Sequence, residues 1–284
     1  MDKEKLIKEV LSPDAFIISP LIGGMMNESY IVSSKGKKYV LYVSTEQANE
    51  MVDRQLEKDN QALVYSLGIT SKNVYFDVEN GIKINEFIEG SSLDKISDYD
   101  LKKVAKVMHI LHNSSKLSND DYHPFARFEE YEEEANSFIE EADNEYLSIR
   151  NYLFLHKDYL ESQRLVLCHN DAQKSNIVKS NNDEYFIIDF EFMGNNDPIY
   201  DIATFGNGSV EEGFALLNEY APNPSDDLKK RYYLWRIFVS LQWYNVALVK
   251  HYRGEGKIHN FNFLDVAAFF LENAKTAYKY LSKI

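Results

Sequence analysis

Short runs of alternating apolar and polar residues, separated by glycine and polar turns, dominate the first part of the chain. This alternation predicts strands in PLIGGMMNESYIV and KKYVLYVS, with a break at SSKGKK. It also predicts a hairpin in NVYFDVENGIKINEFI, with its turn at Glu79, Asn80 and Gly81. Residues 3–11 predict a short helix, and EQANEMVDRQLEKDNQALVYSLGI predicts one long amphipathic helix closed by Gly68.

The pattern becomes helical after Gly90. SLDKISDYDLKKVAKVMHILHNSS predicts a helix capped at Ser97, and the acidic stretch from FEEYEEE to LESQ predicts helices with a solvated face. LVLCHNDAQKSNIVKSNNDEYFIIDFEF predicts a short strand, a loop and a hairpin strand, and the chain is helical again from about Val210. The sequence therefore predicts an α+β fold with its boundary in FIEGSS. A small β-rich lobe with one long helix occupies residues 1–88, and a larger, mainly helical lobe occupies residues 89–284.

The net charge of −14 limits the classes of partner. A nucleic-acid binder needs clustered lysine and arginine for the phosphate backbone, and anionic membranes attract basic segments, so neither partner is expected. A cationic substrate is compatible with this charge, although net charge chiefly affects solubility. The hydrophobic content of 44% predicts a folded protein.

Cysteine usage and the N-terminal segment bear on redox chemistry and location. Cys168 is the only cysteine, which excludes a disulfide within one chain and a cysteine metal cluster. It precedes a polar loop, where we expect it to pack rather than to act as a nucleophile. The N-terminal segment has no apolar signal core, and no run approaches the length of a membrane span. We therefore expect a cytoplasmic protein without membrane insertion.

Three oxygen-bearing side chains follow or end apolar runs. Asp171 follows LVLCHN, Asn176 comes five residues later, and Asp189 ends the run YFIID thirteen residues after Asn176. Kinases use this order: the first Asp orients the acceptor hydroxyl, and the Asn and second Asp hold Mg²⁺ against the nucleotide phosphates. Each piece alone is typical of a turn or a capped strand. Together, after a β-rich lobe, they predict phosphoryl transfer, with His169 bracing the loop.

HNDAQKSN followed by IIDFEF resembles the catalytic loop and metal-binding segment of the choline/ethanolamine kinase and aminoglycoside phosphotransferase superfamily. LIGGMMNESYIV is similar to the glycine turn of these small-molecule kinases, DRQLEKDNQALVYSLGI to their long helix, and GIKINEFIEG to their hinge. DFEFMGNNDPIYDIATF resembles their metal segment together with the residues immediately after it, and the likeness to bacterial choline kinases runs through much of the chain. The resemblance implies a protein-kinase-like two-lobe fold and a kinase that depends on ATP and Mg²⁺.

The resemblance also implies roles for individual residues. Asp171 becomes the catalytic base, Asn176, Asp189 and the nearby Glu191 become metal ligands, and Asp201 lies beneath the catalytic loop. The implied nucleotide-binding residues are Gly23, Gly24 and Asn27 over the phosphates, Glu57 on the long helix, and Glu86, Phe87 and Ile88 in the hinge.

One position departs from the family pattern. The first-lobe strand usually reads YVL followed by Arg or Lys, whose cation binds the nucleotide phosphates, but KYVLYVS has Tyr42 there. Glu57 matches the acidic partner of the missing cation. Lys37, Lys38 and Lys58 are possible substitutes, and the sequence selects none of them.

Choline is a quaternary ammonium with one hydroxyl, and aromatic faces with nearby carboxylates recognise such a cation. Trp243 matches a tryptophan position of the choline kinase pocket, whereas a second such position has Val246. Tyr200 falls where the family often has an aromatic residue, and Trp235 is a further candidate. Because aromatic residues at helical spacing more often belong to a core, packing remains the alternative for each.

Three functions therefore stay open. The first is transfer of the γ-phosphoryl group of ATP to the hydroxyl of choline or a related amino alcohol. The second is phosphorylation of another small hydroxyl compound, such as an aminoglycoside or a thiamine-like molecule. The third is a kinase-like module that binds its ligand with little transfer; Tyr42 favours it and the retained metal ligands disfavour it.

Overall fold

A computed structural model describes residues 2–21, 27–256 and 262–284. The predicted glycine turn with Gly23 and Gly24 lies outside the described residues. The described chain forms two compact units. The first contains residues up to Tyr99, Ser114–Asp120 and Lys174–Gly194, and the second contains Asp100–Asn113, Asp121–Gln173 and Asn195–Ile284.

An antiparallel sheet organises the first unit, with strands in the order β1-β2-β3-β5-β4. The strands are β1 (Phe16–Leu21), β2 (Asn27–Ser34), β3 (Lys37–Ser44), β4 (Asn73–Asp77) and β5 (Ile82–Glu86). Lys35 and Gly36 connect β2 to β3 with φ angles of 49° and 74°, which is the geometry of a tight hairpin turn. Gly81 has a φ of 62° in the turn before β5. The hairpin predicted with its turn at Glu79, Asn80 and Gly81 and the break predicted at SSKGKK are confirmed.

The sequence predicted one long helix in this region, and that prediction is wrong because the structure has two. Helix α1 (Lys3–Val10) begins the chain, but the next helical segment divides into α2 (Glu46–Met51) and α3 (Arg54–Tyr65). Val52 is extended, and the Asp53 side chain accepts from the backbone N–H groups of Gln55 and Leu56, so a new helix begins there. Gly68, with a φ of 74°, follows α3 as predicted.

The first unit also contains a second, smaller sheet. Its strands are β6 (Gly90–Ser92), β8 (Ile177–Ser180) and β9 (Tyr185–Ile187), in the order β6-β8-β9. The sequence predicted a single boundary after residue 88, whereas here the segment 174–194 packs with the first unit. The reason is strand pairing: Gly90 lies opposite Ser180, and Ile187 donates its N–H to the carbonyl of Ile69 at 2.8 Å.

The second unit is mainly helical. Its helices are α4 (Leu101–His112), α5 (Pro124–Phe138), α6 (Asn144–Phe154), α7 (Lys157–Glu161), α8 (Pro198–Phe205), α9 (Val210–Tyr220), α10 (Asp226–Tyr252) and α11 (Phe263–Leu281). Strand β7 (Val166–Cys168) pairs with β10 (Gly194–Asn196). Asp100 caps α4 by accepting from the N–H of Lys102, so the cap predicted at Ser97 is wrong.

Aromatic rings fill the core of the helical unit. Phe125 of α5 packs edge-on against Phe238 of α10 at a centroid distance of 4.9 Å, and Phe128 lies 5.2 Å from the same ring. Phe238 also lies 5.9 Å from the ring of Tyr200, so these buried rings help to position α8. Within the described ranges, no helix has the length and apolar character needed to span a membrane.

Candidate active site

One buried carboxylate supports the loop that follows β7. The backbone N–H groups of His169 and Asn170 donate to Asp201 Oδ2 and Oδ1 at 2.8 and 2.7 Å. Asp201 lies in the first turn of α8 and is fully buried. Its Oδ2 also contacts His112 Nε2 at 2.9 Å. Asp201 therefore lies beneath the loop, as the resemblance implied.

The same loop presents Asp171, which is half-buried. Its N–H donates to His169 Nδ1 at 3.2 Å, and its Oδ2 accepts from Gln173 Nε2 at 3.1 Å. Asn170 has a φ of 65°, a left-handed conformation that is unfavourable for most residues, and its Oδ1 accepts from Asn196 Nδ2 at 2.9 Å. These contacts fix the direction of the loop. A carboxylate held in this way can accept a proton or orient a hydroxyl group.

Cys168 and His112 are held in place by hydrogen bonds within the second unit. The Cys168 thiol is buried and donates to the carbonyl oxygen of Asn196 at 3.3 Å. Burial raises the pKa of this thiol well above its usual value, so the nucleophilic thiolate is disfavoured. His112 Nδ1 contacts the Tyr220 hydroxyl at 2.9 Å. The packing role expected for Cys168 agrees with these contacts.

Two tyrosines lie within electrostatic reach of Asp171. Burial, and to a smaller extent the charge of Asp171, raises the pKa of both the Tyr122 and the Tyr200 phenols. Their ring centroids are 5.4 Å apart, and the Tyr200 hydroxyl donates to Gln242 Oε1 at 3.0 Å. Arg127 lies over the Tyr122 ring at 4.9 Å. Sequence reasoning found Tyr200 but missed Tyr122, because Tyr122 lies in a loop without any periodic pattern.

The two tryptophans have different surroundings. Trp235 is buried, its Nε1–H donates to Asp197 Oδ2 at 2.7 Å, and its ring packs against Tyr200 at 5.1 Å. Trp243 is half-buried and stacks on Phe270 at 5.6 Å. Core packing thus accounts for the position of Trp235, while Trp243 keeps part of its surface exposed.

In the first unit, Asn176 and Asp189 lie close together at the β8–β9 pair. Asn176 ends the 3₁₀ turn before β8, and its carbonyl oxygen accepts from the N–H of Ile188 at 2.9 Å. Asp189 follows directly and has a φ of 69°, again in the left-handed region. Non-glycine residues in this conformation concentrate at functional sites. The two predicted metal ligands are therefore brought together through the backbone.

Three carboxylates converge around Asp189. One oxygen each from Glu57, Asp189 and Glu191 lie within 4.8 Å of one another. Lys83 Nζ forms an ion pair with Glu57 and lies 3.4 Å from Asp189 Oδ1. Arg54 Nη1 contacts Glu57 Oε2 at 2.7 Å and Glu191 Oε1 at 2.8 Å. Three carboxylates thus share two cations.

The ionisation of these groups is coupled. Burial raises the pKa of Asp189 to about 6, and the charge of Glu191 adds to this rise. Burial also acts to raise the pKa of Glu191, but Lys83 and Arg54 outweigh it and lower this pKa. Burial acts to lower the pKa of Lys83, and the three carboxylates raise it, so Lys83 remains an ammonium. An added cation would relieve the repulsion between Asp189 and Glu191.

The donor set of this cluster fits Mg²⁺, which prefers carboxylate and amide oxygens. Asn27 Nδ2 donates to Glu191 Oε1 at 2.7 Å. Its Oδ1 is buried and has no hydrogen-bond partner within the part of the chain that the structure describes. A buried acceptor of this kind, beside a surplus of negative charge, suits a hydrated cation.

The predicted hinge continues from the end of β5. The N–H of Glu86 donates to the carbonyl of Lys72 at 2.9 Å, and the N–H of Phe87 donates to the carbonyl of Lys38 at 3.1 Å. Both amides are therefore used within the first unit. Ile88 comes next and is half-buried.

None of the three lysines considered from the sequence has a described contact with Glu57. Lys37 and Lys58 are exposed, and Lys38 pairs with the exposed Glu89 at 3.0 Å. Lys83, which sequence reasoning missed, forms that contact instead. Its signal was present in IKIN, where a lysine alternates with apolar residues in a strand whose neighbours are buried.

A family model described as choline/ethanolamine kinase matches residues 18–221, which is more than half of the chain. The chain belongs to the choline/ethanolamine kinase family. As a member of this family it is an ATP-dependent phosphotransferase with an alcohol group as acceptor.

Relatives of this choline/ethanolamine kinase cover almost its whole length. Protein LicA of Haemophilus influenzae is 26% identical over 281 residues, which are 93% of this chain and 79% of LicA. The crystal structure of choline kinase LicA from Streptococcus pneumoniae has a TM-score of 0.76 at 26% identity and covers 100% of both chains. Spectinomycin phosphotransferase, with a TM-score of 0.59 at 16% identity over 96% of both chains, shares the fold.

These comparisons confirm the predicted family, the α+β protein-kinase-like fold and the enzyme class. The roles of the individual site residues stay predictions. In this kinase the residues predicted for the nucleotide and the metal, apart from Gly23 and Gly24, lie in the first unit. Asp171 and the aromatic candidates lie in the second unit.

Proposed function

We propose that this kinase transfers the γ-phosphoryl group of ATP to the hydroxyl of choline or a close amino alcohol, giving phosphocholine or its analogue, with Mg²⁺ as the metal. The observation that carries the proposal is the likeness to the Streptococcus pneumoniae choline kinase LicA over the full length of both chains. A structure of LicA in complex with AMP is similar at a TM-score of 0.74 and 26% identity, which supports nucleotide binding. A cytoplasmic location belongs to the same proposal, because ATP and Mg²⁺ are supplied there.

Asp171 has the part of the base in the proposed reaction. The acceptor hydroxyl oxygen attacks the γ-phosphorus, the bond from this phosphorus to the β–γ bridging oxygen breaks, and ADP leaves. The hydroxyl proton passes to the Asp171 carboxylate. Because Gln173 and His169 hold Asp171 in one orientation, little reorganisation is needed when the hydroxyl arrives.

The first unit has the nucleotide part. Asp189, Glu191 and Asn176 would hold Mg²⁺, which would neutralise charge on the phosphate oxygens. In the hinge, the N–H groups of Glu86 and Phe87 are already used, so the backbone of Ile88 is the proposed partner of the adenine. The proposed cover over the phosphates consists of Gly23, Gly24 and Asn27, and Glu57 orients the cation that binds the phosphates.

The proposed acceptor site lies in the second unit. A quaternary ammonium cannot donate a hydrogen bond, so aromatic faces and carboxylates must recognise it. Tyr200 is proposed on the family resemblance and its ring contact with Tyr122 at 5.4 Å, and Trp243 on its partial exposure. Trp235 would act through its packing against Tyr200.

The other two functions have weaker support. Spectinomycin phosphotransferase and the aminoglycoside phosphotransferase crystallised with hygromycin B resemble this chain at 16% and 14% identity, which extends to the fold alone. The binding-module hypothesis depended on the missing cation at Tyr42, and Lys83 now supplies a buried ammonium beside Glu57.

An assay of ADP release tests the proposal, with choline, ethanolamine, spectinomycin and hygromycin B as separate acceptors. Choline or ethanolamine should support turnover. Turnover with either antibiotic and none with the two amino alcohols would contradict the substrate assignment.

A substitution of the base tests its role. Asp171→Asn should lower kcat by about 10²–10⁴-fold, because proton transfer is lost, while the melting temperature is kept. Asp94→Asn, at an exposed position, is the control and should leave kcat unchanged. If the Asp171→Asn enzyme had the same kcat as the unmodified protein, Asp171 would not be the base.

A further inference from the structure

Tyr42 on β3 and Lys83 on β5 are opposite partners in the antiparallel sheet. Opposed residues project to the same face, with Cβ atoms about 5 Å apart. Tyr42 occupies the position where the family pattern has a cation, and Lys83 places a cation on that face from the neighbouring strand. A ligand that lies over this face of the sheet could therefore be reached by a cation at either position.

The contacts of Lys83 are those expected of the missing cation. Its ammonium forms an ion pair with Glu57, which matches the acidic partner in the family pattern, and lies 3.4 Å from Asp189 Oδ1. It also lies 4.9 Å from the centroid of the Tyr42 ring, whose face attracts a cation. A lysine or arginine at position 42 would repel Lys83, whereas tyrosine supports it.

The second cation of the cluster is less suited to a ligand. Arg54 Nε donates to Asn49 Oδ1 at 3.0 Å, its Nη2 donates to Ser44 Oγ, and its Nη1 contacts Glu57 and Glu191. Its guanidinium is therefore tied to the protein at each nitrogen. Lys83 has three N–H donors, and its hydrogen-bond partners among the side chains that the structure describes are Glu57 and Asp189. One donor remains for a phosphate oxygen.

We propose that Lys83 binds the β- and γ-phosphate groups of ATP, in the part that a cation at position 42 plays in the family pattern. This inference rests on the proposed function for the presence of a nucleotide triphosphate in the first unit. Glu57 orients the ammonium, and the ring of Tyr42 supports it from the side. The cation therefore comes from β5 instead of β3, but it lies on the same face of the sheet.

The affinity for ATP relative to AMP tests this proposal. AMP is the reference ligand because it lacks the β- and γ-phosphates. The dissociation constants of ATP and AMP are both measured by calorimetry, in EDTA so that no metal contributes to binding. Lys83→Met should weaken ATP binding by about 10- to 100-fold and leave AMP binding within about twofold, because a charge-assisted contact is lost only for ATP. A merely structural role would weaken both ligands alike. An unchanged ratio of the two constants would overturn the proposal.

Two further variants complete the design. Lys58→Met removes an exposed lysine next to Glu57 and should keep the ratio of the unmodified protein. Tyr42→Lys combined with Lys83→Met returns the cation to β3, and we expect it to recover most of the ATP preference. If Lys83→Met alone does not fold, this double variant decides: recovery supports the proposal, and the full loss of preference overturns it. Because no acceptor is present, the result does not depend on whether choline is the substrate.

Discussion

Asp201 connects packing to chemistry through a single side chain. It accepts from two backbone N–H groups of the loop that presents Asp171, and it also contacts His112. Thr204, one turn further along α8, accepts from the N–H of Ala172 at 3.1 Å and so extends the same support. Because these groups are buried, removing their acceptor would leave donors without partners, which costs more than the bonds themselves contribute.

Asp201→Asn should therefore destabilise the protein and slow turnover together. The substitution removes a charge and one acceptor from a buried network, so we expect a loss of about 2–4 kcal/mol in the free energy of unfolding. Urea unfolding measures the loss, and kcat should fall with it because the loop is less well held. Asp226→Asn is the control, since Asp226 is exposed and pairs only with Lys229 among its described ion pairs. Equal stability of the two variants would contradict the supporting role of Asp201.

At the scale of elements, local sequence patterns predicted the helices, strands and turns that depend on residues close together in the sequence. The hairpin turns, the short strand before Asp171 and the helices after Val210 follow from periodicity and turn residues. The IKIN pattern placed Lys83 in a strand, but its partner Tyr42 is 41 residues earlier, so only the sheet register shows that the two residues are neighbours. The β6–β8 pairing likewise joins segments that are far apart in sequence, which moved the boundary of the first unit. The break between α2 and α3 was missed although Asp53 is a good cap, since helical periodicity continues on both sides.

The cap at Asp53 matters because α3 begins with the residues of the carboxylate cluster. Arg54 and Glu57 lie in its first turn, so fraying of this turn would move both. Asp53→Ala should lower the free energy of unfolding by about 1 kcal/mol and raise the KM for ATP. Asp143→Ala is a matched control, because Asp143 caps α6 with the same two N–H bonds. It should cost about the same stability with an unchanged KM. Equal KM values in the two variants would show that the α3 cap has no effect on the nucleotide.

For the molecule as a whole, the carboxylate cluster lowers the stability of the unliganded protein and favours the binding of a cationic ligand. The chain has 45 acidic and 31 basic residues, so it offers few spare cations to balance buried acids. In the first unit, Glu57, Asp189 and Glu191 share Lys83 and Arg54, which leaves one carboxylate in excess. Such repulsion is typical of sites whose remaining charge is supplied by a ligand. The stability of the protein should therefore depend on the metal and nucleotide more than its apolar cores would suggest.

Asp189→Asn isolates this dependence. Without ligand, the variant has two carboxylates for two cations, so its melting temperature should equal or exceed that of the unmodified protein. ATP with Mg²⁺, at about 100 times its dissociation constant, should raise the free energy of unfolding of the unmodified protein by about 2.7 kcal/mol. For a chain of this size that corresponds to about 5 °C in a thermal melt. The variant should lose most of this rise, because it lacks a proposed ligand of Mg²⁺.

Asp183→Asn is the matched control. Asp183 also has a left-handed backbone, with a φ of 60°, but it is exposed, so this variant should retain the full rise. If Asp189→Asn retained the same rise as Asp183→Asn, the excess carboxylate would not be where the metal and nucleotide bind.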